Sequence, residues 1–153
     1  MSKSIDIRER SPLLQVVREV AGDPDLIALH ALAGSERAWT ELRSTPDLQV
    51  WLITWPPGAR TGWHDHGTAG GAFATVSGHL HELTWDHGPV ARGLGAGNGR
   101  SFAPGHLHDV RNLGDAPAVS VHAYSPRLTT MTRYVESGGR LALAGVERAG
   151  SDW

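Results

Sequence analysis

Cysteine is absent from this 153-residue chain, and that one absence excludes a disulfide framework, a zinc ribbon, an iron–sulfur centre and a thiol nucleophile. An excess of charge of one sign is missing too. The 14 basic and 16 acidic side chains leave a formal net charge of −2, so there is no basic stripe of the kind that nucleic acid or an anionic membrane surface requires. Nor is there a long apolar run. The N-terminal stretch MSKSIDIRERSPLLQVV has charges scattered through it, which predicts neither a signal peptide nor a spanning helix but a soluble cytoplasmic protein. Internal repeats of fixed period and low-complexity segments are also lacking, and the length suits one domain able to bury a core of its own.

What the chain does have is nine histidines, six tryptophans and 19 glycines, gathered towards its middle. Ahead of them the texture is helical. Ser11-Pro12 has the form of an N-cap and first helical residue, followed by Leu13, Leu14, Val16, Val17 and Val20 near a 3.6 period, and Asp23-Pro24 opens a second short helix. After Trp39 the texture becomes β. Gln49 to Trp55 is β-branched and aromatic and stops at Pro56-Pro57-Gly58; short apolar runs then recur at Ala72 to Val76, His81 to Trp85 and Val119 to Tyr124, with a further strand around Arg100 to Ala103. Regularly spaced short strands predict an all-β barrel or sandwich preceded by short helices. The expected divisions are helices and lead-in over 1–47, barrel over 48–135 and a weakly patterned C-terminal tail over 136–153.

The chemistry gathers in the histidines. His64 and His66 are two residues apart, so on a strand both rings face one way, about 7 Å apart along the chain, as two ligands of one ion must. Neutral imidazole is a general ligand for Fe, Zn, Cu and Ni. A third ligand comes from His108 or from His106, which share the same spacing. His79, His81 and His87 read as exposed or edge-strand residues.

Gly58, His64, His66 and Gly78 fall on the spacing of the first cupin motif, and His108-Asp-Val-Arg-Asn112 fits the end of the second, which favours His108 over His106. The chain thus resembles a cupin, a small double-stranded β-helix (jelly-roll) barrel. Gly71 stands where that motif carries a glutamate, leaving a ligand set of three neutral histidines. Further along, Ser120-Val-His122-Ala-Tyr124-Ser-Pro joins these two elements. Alternation on a strand puts Ser120, His122 and Tyr124 on one face as a hydrogen-bonded series, since three buried polar groups need partners. The three elements together, over roughly Gln49 to Tyr134, resemble the cysteine dioxygenase family of thiol dioxygenases.

The resemblance implies one Fe(II) per chain held by His64, His66 and His108, with O2 as co-substrate. A small thiol, L-cysteine first and 3-mercaptopropionate next, would bind as thiolate and leave as its sulfinic acid. Tyr124 would donate a hydrogen bond at the reacting atoms, held by His122 and Ser120. Mammalian members have a cysteine at the position of Gly71, crosslinked to the active-site tyrosine; here Tyr124 must stay free. The arginine that pairs with the substrate carboxylate in the family has no direct counterpart. Arg37, Trp39, Glu41 and Arg43 share one face if their segment is extended, which makes Arg37 or Arg43 candidates for the carboxylate and Glu41 a candidate for a substrate amine. Arg133, nine residues after Tyr124, resembles the carboxylate-binding arginine of 3-mercaptopropionate dioxygenases. Other readings are a metallocupin of another class, either a non-thiol oxygenase or an isomerase, and a non-catalytic binding protein. The expected state is monomer or homodimer, with no nucleic-acid or membrane partner.

Overall fold

A computed structural model describes residues 11–30 and 36–148, with the side chains of 29 and 30 left aside. Helix α1 (Pro12–Ala21) begins as its sequence dictates: the Ser11 hydroxyl accepts from the Leu14 N–H at 3.5 Å, and Pro12 takes the first turn, where a missing N–H costs nothing. Helix α2 (Pro24–His30) follows. The rest is β-structure: β1 (Ala38–Ser44), β2 (Gln49–Trp55), β3 (Trp63–Asp65), β4 (Gly70–Ser77), β5 (His79–Trp85), β6 (Pro89–Gly95), β7 (Gly99–Phe102), β8 (His108–Arg111), β9 (Ala118–Ser125), β10 (Thr130–Ser137) and β11 (Arg140–Arg148).

These strands form two antiparallel sheets, ordered β1-β2-β9-β4-β7 and β11-β10-β3-β8-β5-β6. All seven residues of β2 are buried because both faces of its sheet are covered. Trp51, Ile53 and Trp55 belong to the core with Phe73, Leu80, Val110 and Met131, while Val50 and Leu52 join Ala72, Ala74, Val121 and Ala123 beneath Leu14 and Val17 of α1. The small alanines on the outer face let the helix lie close. Continuous burial is what two covered faces produce, so β2 reads as an apolar run rather than an alternation. This is the all-β barrel with N-terminal helices that the sequence predicts, and no helix among the described residues is long and apolar enough to cross a membrane.

Both expected barrel boundaries move outward. Strand β1 starts at Ala38, before residue 48, and the supposed tail holds β11, paired with β10 from Thr130↔Arg148 to Ser137↔Arg140. Its pattern was weak because β11 is an edge strand with little of either face covered, leaving Leu143 and Val146 mostly exposed; without a buried face there is no alternation to read. Residues 149–153 lie outside the described part.

Asn112, the residue whose spacing favours His108, serves the fold. Its Nδ2 donates to the carbonyls of Trp55 and Ala116, each at 2.9 Å, and its Oδ1 accepts from the Gly114 N–H at 3.0 Å. The side chain thus closes the β8–β9 turn against the end of β2. Replacing it by Leu strands buried backbone groups, and should lower unfolding free energy by about 2–4 kcal/mol with an unchanged urea slope. A midpoint near that of the parent would show that the turn is held by other contacts.

Candidate metal centre

His64 comes from the middle of the three-residue strand β3, His66 from just beyond it, and His108 from the first position of β8, directly across from His64 in the ladder. One ring nitrogen from each lies within 4.8 Å of the others, and all three residues are buried. His64 Nδ1 donates to the Gly62 carbonyl at 2.7 Å, and His108 Nδ1 donates to Glu82 at 2.8 Å; with protons assigned to Nδ1 by these partners, each Nε2 presents a lone pair. His64 Nε2 and His66 Nε2 stand 3.2 Å apart. Burial, and then the neighbouring histidine, holds the His64 and His66 rings well below the usual imidazole pKa. Unprotonated nitrogens converging in a buried space make a donor set suited to a divalent transition-metal ion.

His106 does not join this set. Its Nε2 contacts Glu82 at 3.2 Å, and its ring stacks on Phe102. Glu82, His106 and His108 could themselves be viewed as a metal-holding group, but the Glu82 carboxylate already faces the Arg100 guanidinium at 2.8 Å. Glu82 is fully buried. Burial alone would raise its pKa, yet hydrogen bonds with His106 and His108 and the charge of Arg100 outweigh that and hold it at about 2. Sequence reasoning missed it. The signal available was a lone carboxylate alternating in step with Leu80 on β5, an inward position at which a charge needs a buried partner.

Ser120, His122 and Tyr124 lie on the inner face of β9, as alternation predicts. Ser120 Oγ is 2.7 Å from His122 Nε2, and Tyr124 Oη is 3.5 Å from His122 Nδ1. A fourth member, Trp55, sets the direction of the series. Its indole N–H donates to Ser120 Oγ at 2.8 Å. Since indole only donates and the serine is wholly buried, the serine satisfies its own O–H by donating to His122 Nε2. His122 is then protonated at Nδ1, towards Tyr124, whose O–H is left for the cavity. Burial, then electrostatic coupling to His108, lowers the His122 pKa to about 3, and burial pushes the Tyr124 phenol well above its ordinary value. Both groups are therefore neutral.

Gly71 is the place where a side chain is missing for a visible reason. A Cβ there would clash with the outer edge of the Phe102 ring, which lies on His66 at 5.0 Å between centroids and on His106 at 5.0 Å. The aromatic ring fills the space that a glutamate or cysteine at position 71 would enter. It also steadies His66, whose buried Nδ1 has no hydrogen-bond partner among the described residues.

Two of the three candidate arginines reach the cavity. Arg37 and Arg133 line it together with Tyr124, His122, His64 and His108. Arg43 does not. A bulge between Glu41 and Arg43 shifts the register so that Arg43 pairs with Val50, whose side chain lies under α1. Arg43 is thereby carried to the outer face and exposed, and the four residues from Arg37 to Arg43 do not share one face. Glu41 is engaged by Gln49 Nε2 at 2.8 Å and stands outside the cavity lining, as does Trp39.

Comparison with known proteins agrees with this geometry. A family profile described as cysteine dioxygenase type I matches residues 5–137. Among solved structures, an uncharacterised Klebsiella pneumoniae protein with a double-stranded β-helix domain is 21% identical, with 75% of this chain and 90% of that one covered and a TM-score of 0.56. A cupin domain from Bordetella pertussis is 24% identical, with 63% and 100% covered and a TM-score of 0.51. An oxalate oxidase in complex with glycolate is 20% identical, with 65% and 55% covered and a TM-score of 0.54. These likenesses carry the cupin fold.

The packing at Gly71 can be tested by a double-mutant cycle. Gly71→Ala should cost about 1–3 kcal/mol through overpacking against Phe102, and this cost should vanish in a Phe102→Ala background. Equal costs in both backgrounds would show that the ring is not the obstacle.

Proposed function

The chain belongs to the cysteine dioxygenase type I family, and on that premise we propose that it is an Fe(II)-dependent dioxygenase that uses O2 to convert a small carboxylate-bearing thiol to its sulfinic acid. L-Cysteine and 3-mercaptopropionate are the substrates from which this reading starts. The observation that carries it is a tyrosine O–H, directed by Trp55, Ser120 and His122, lining the same cavity as His64 and His108, two of the three converging imidazoles.

His64, His66 and His108 would hold the iron. When bound, Fe(II) would supply open coordination positions and favour the thiolate form of the substrate. The chain's own residues do the rest. With no carboxylate among the three ligands, the protein adds no negative charge at the metal. Tyr124 keeps its proton because burial disfavours phenolate, so it can donate a hydrogen bond to an oxygen atom developing negative charge in the cavity. His122 supports the phenol oxygen from behind. The packed rings of Trp51, Phe102 and Phe73 limit water around these groups, which strengthens each polar contact. A guanidinium at the cavity wall pairs with the substrate carboxylate.

Anaerobic loading with Fe(II), followed by O2 uptake and sulfinate detection across small thiols, tests the proposal. Thiol-dependent uptake with sulfinate as product is expected, and O2 uptake indifferent to thiol would sink the reading. His64→Ala, His66→Ala and His108→Ala should each abolish iron binding, whereas His106→Ala should retain it; equal loss for His106 and His108 would mean that the third ligand is misassigned. Tyr124→Phe should bind iron normally while kcat falls by about 10²-fold, and an unchanged kcat would remove Tyr124 from the chemistry.

A further inference from the structure

Two guanidinium groups reach the cavity, and no carboxylate lines it with them. Arg37 stands just before β1, half-buried, with its guanidinium 5.6 Å over the Trp55 ring. Among the described residues it has no carboxylate partner. Arg133 comes from the other sheet, where β10 pairs it across the ladder with His64. Its Nη1 donates to the Thr61 carbonyl at 2.7 Å, and its Nε lies 3.2 Å from Glu147. The Thr61 contact orients the fork, and these two interactions leave Nη2 without a protein partner among the described residues. The residues that line the cavity include no aspartate or glutamate.

Three consequences follow from that charge distribution. An ammonium group on the substrate would meet two guanidinium groups and no carboxylate within the cavity, since Glu147 pairs with Arg133 from outside its lining, so an amino-acid thiol is disfavoured. The two cations also repel: burial, and after it the charge of Arg133, pulls the Arg37 pKa below its ordinary value, a cost that bound anions relieve. Arg37 enters from just ahead of β1 and Arg133 from β10 of the other sheet, and guanidinium forks match carboxylates two bonds at a time, so each arginine has donors for a carboxylate of its own. The remaining walls, including Trp51, Ile53, Val110 and Met131, suit a short carbon skeleton.

We propose that the substrate of this cavity is a small thiol with two carboxylates and no amine, one carboxylate held by Arg37 and the other by Arg133. This rests on the dioxygenase reading above and narrows it. The reaction balances without a further reductant: the sulfur gives up four electrons, O2 accepts them, both oxygen atoms end on sulfur, and the thiol proton leaves with the sulfinic acid.

The test compares 2-mercaptosuccinate, 3-mercaptopropionate and L-cysteine as substrates of the Fe(II)-loaded chain, and succinate against propionate as sulfur-free ligands by calorimetry. Mercaptosuccinate should exceed 3-mercaptopropionate in kcat/KM by on the order of ten-fold or more, with L-cysteine last, because a buried ion pair left unmade is costly. Succinate should bind at least about ten-fold more tightly than propionate. Arg37→Met and Arg133→Met should each erase both preferences, acting on KM more than on kcat, while Arg37→Lys and Arg133→Lys should fall between. Circular dichroism and melting temperature show that each variant is folded. The proposal is overturned if L-cysteine or 3-mercaptopropionate is the better substrate, if succinate binds no better than propionate, or if either arginine can be removed without effect on the preference. Arginine-dependent succinate binding with no thiol oxidised would support the dianion site and refute the dioxygenase reading instead.

Discussion

One buried carboxylate ties the centre to the barrel. Glu82 stands inside the six-stranded sheet, yet its partners come from three places: His108 on neighbouring β8, His106 in the loop before it, and Arg100 on β7 of the opposite sheet. A charge with no exposed surface is expensive, and a half-satisfied one more so. The barrel must therefore close with Arg100 and both histidines in place. Once it has, the carboxylate fixes which nitrogen of His108 carries the proton and hence which one faces His64 and His66. The constraint that makes the fold consistent is the same one that aims a ligand.

The three histidines are held by unlike means. Backbone orients His64 through Gly62, a carboxylate orients His108, and His66 is kept in place by aromatic packing against Phe102 and Tyr124, whose ring is 5.0 Å away. Phe102 can occupy its position only because residue 71 has no side chain. That single replacement removes a carboxylate from the motif and admits a ring in its place. The charge of the centre and the support of its second ligand are thus settled together by one glycine.

How much of this could be read from the sequence depended on whether a residue's role is local. The N-cap at Ser11, the strand at Gln49, the His64/His66 pair and the Ser120-His122-Tyr124 face follow from period and spacing, and the structure places each as expected. The roles of Glu82, Trp55 and Phe102 were not legible, because each depends on a strand far away in sequence. Trp55 meets Ser120 across 65 positions, and nothing in the run Trp-Leu-Ile-Thr-Trp distinguishes a core tryptophan from a hydrogen-bond donor. Arg43 failed for a local reason that pattern does not reveal. Strict alternation put it on the face of Arg37, and one bulged residue reversed it. The C-terminal hairpin was missed because an edge strand with little burial has no apolar face to leave a mark.

The polar groups of the cavity have a consistent sense. The lone pairs of His64 and His108 face inward, with protons held behind them by Gly62 and Glu82; the phenol of Tyr124 faces inward with its proton forward, because the chain behind it starts from an indole that can only donate. Two guanidinium groups add further donors. The phenol and the two guanidinium groups therefore present hydrogen or positive charge to the cavity. Such a space is matched to anionic groups. The negative charge missing from the chain at Gly71 and from the cavity walls is left for the substrate to bring.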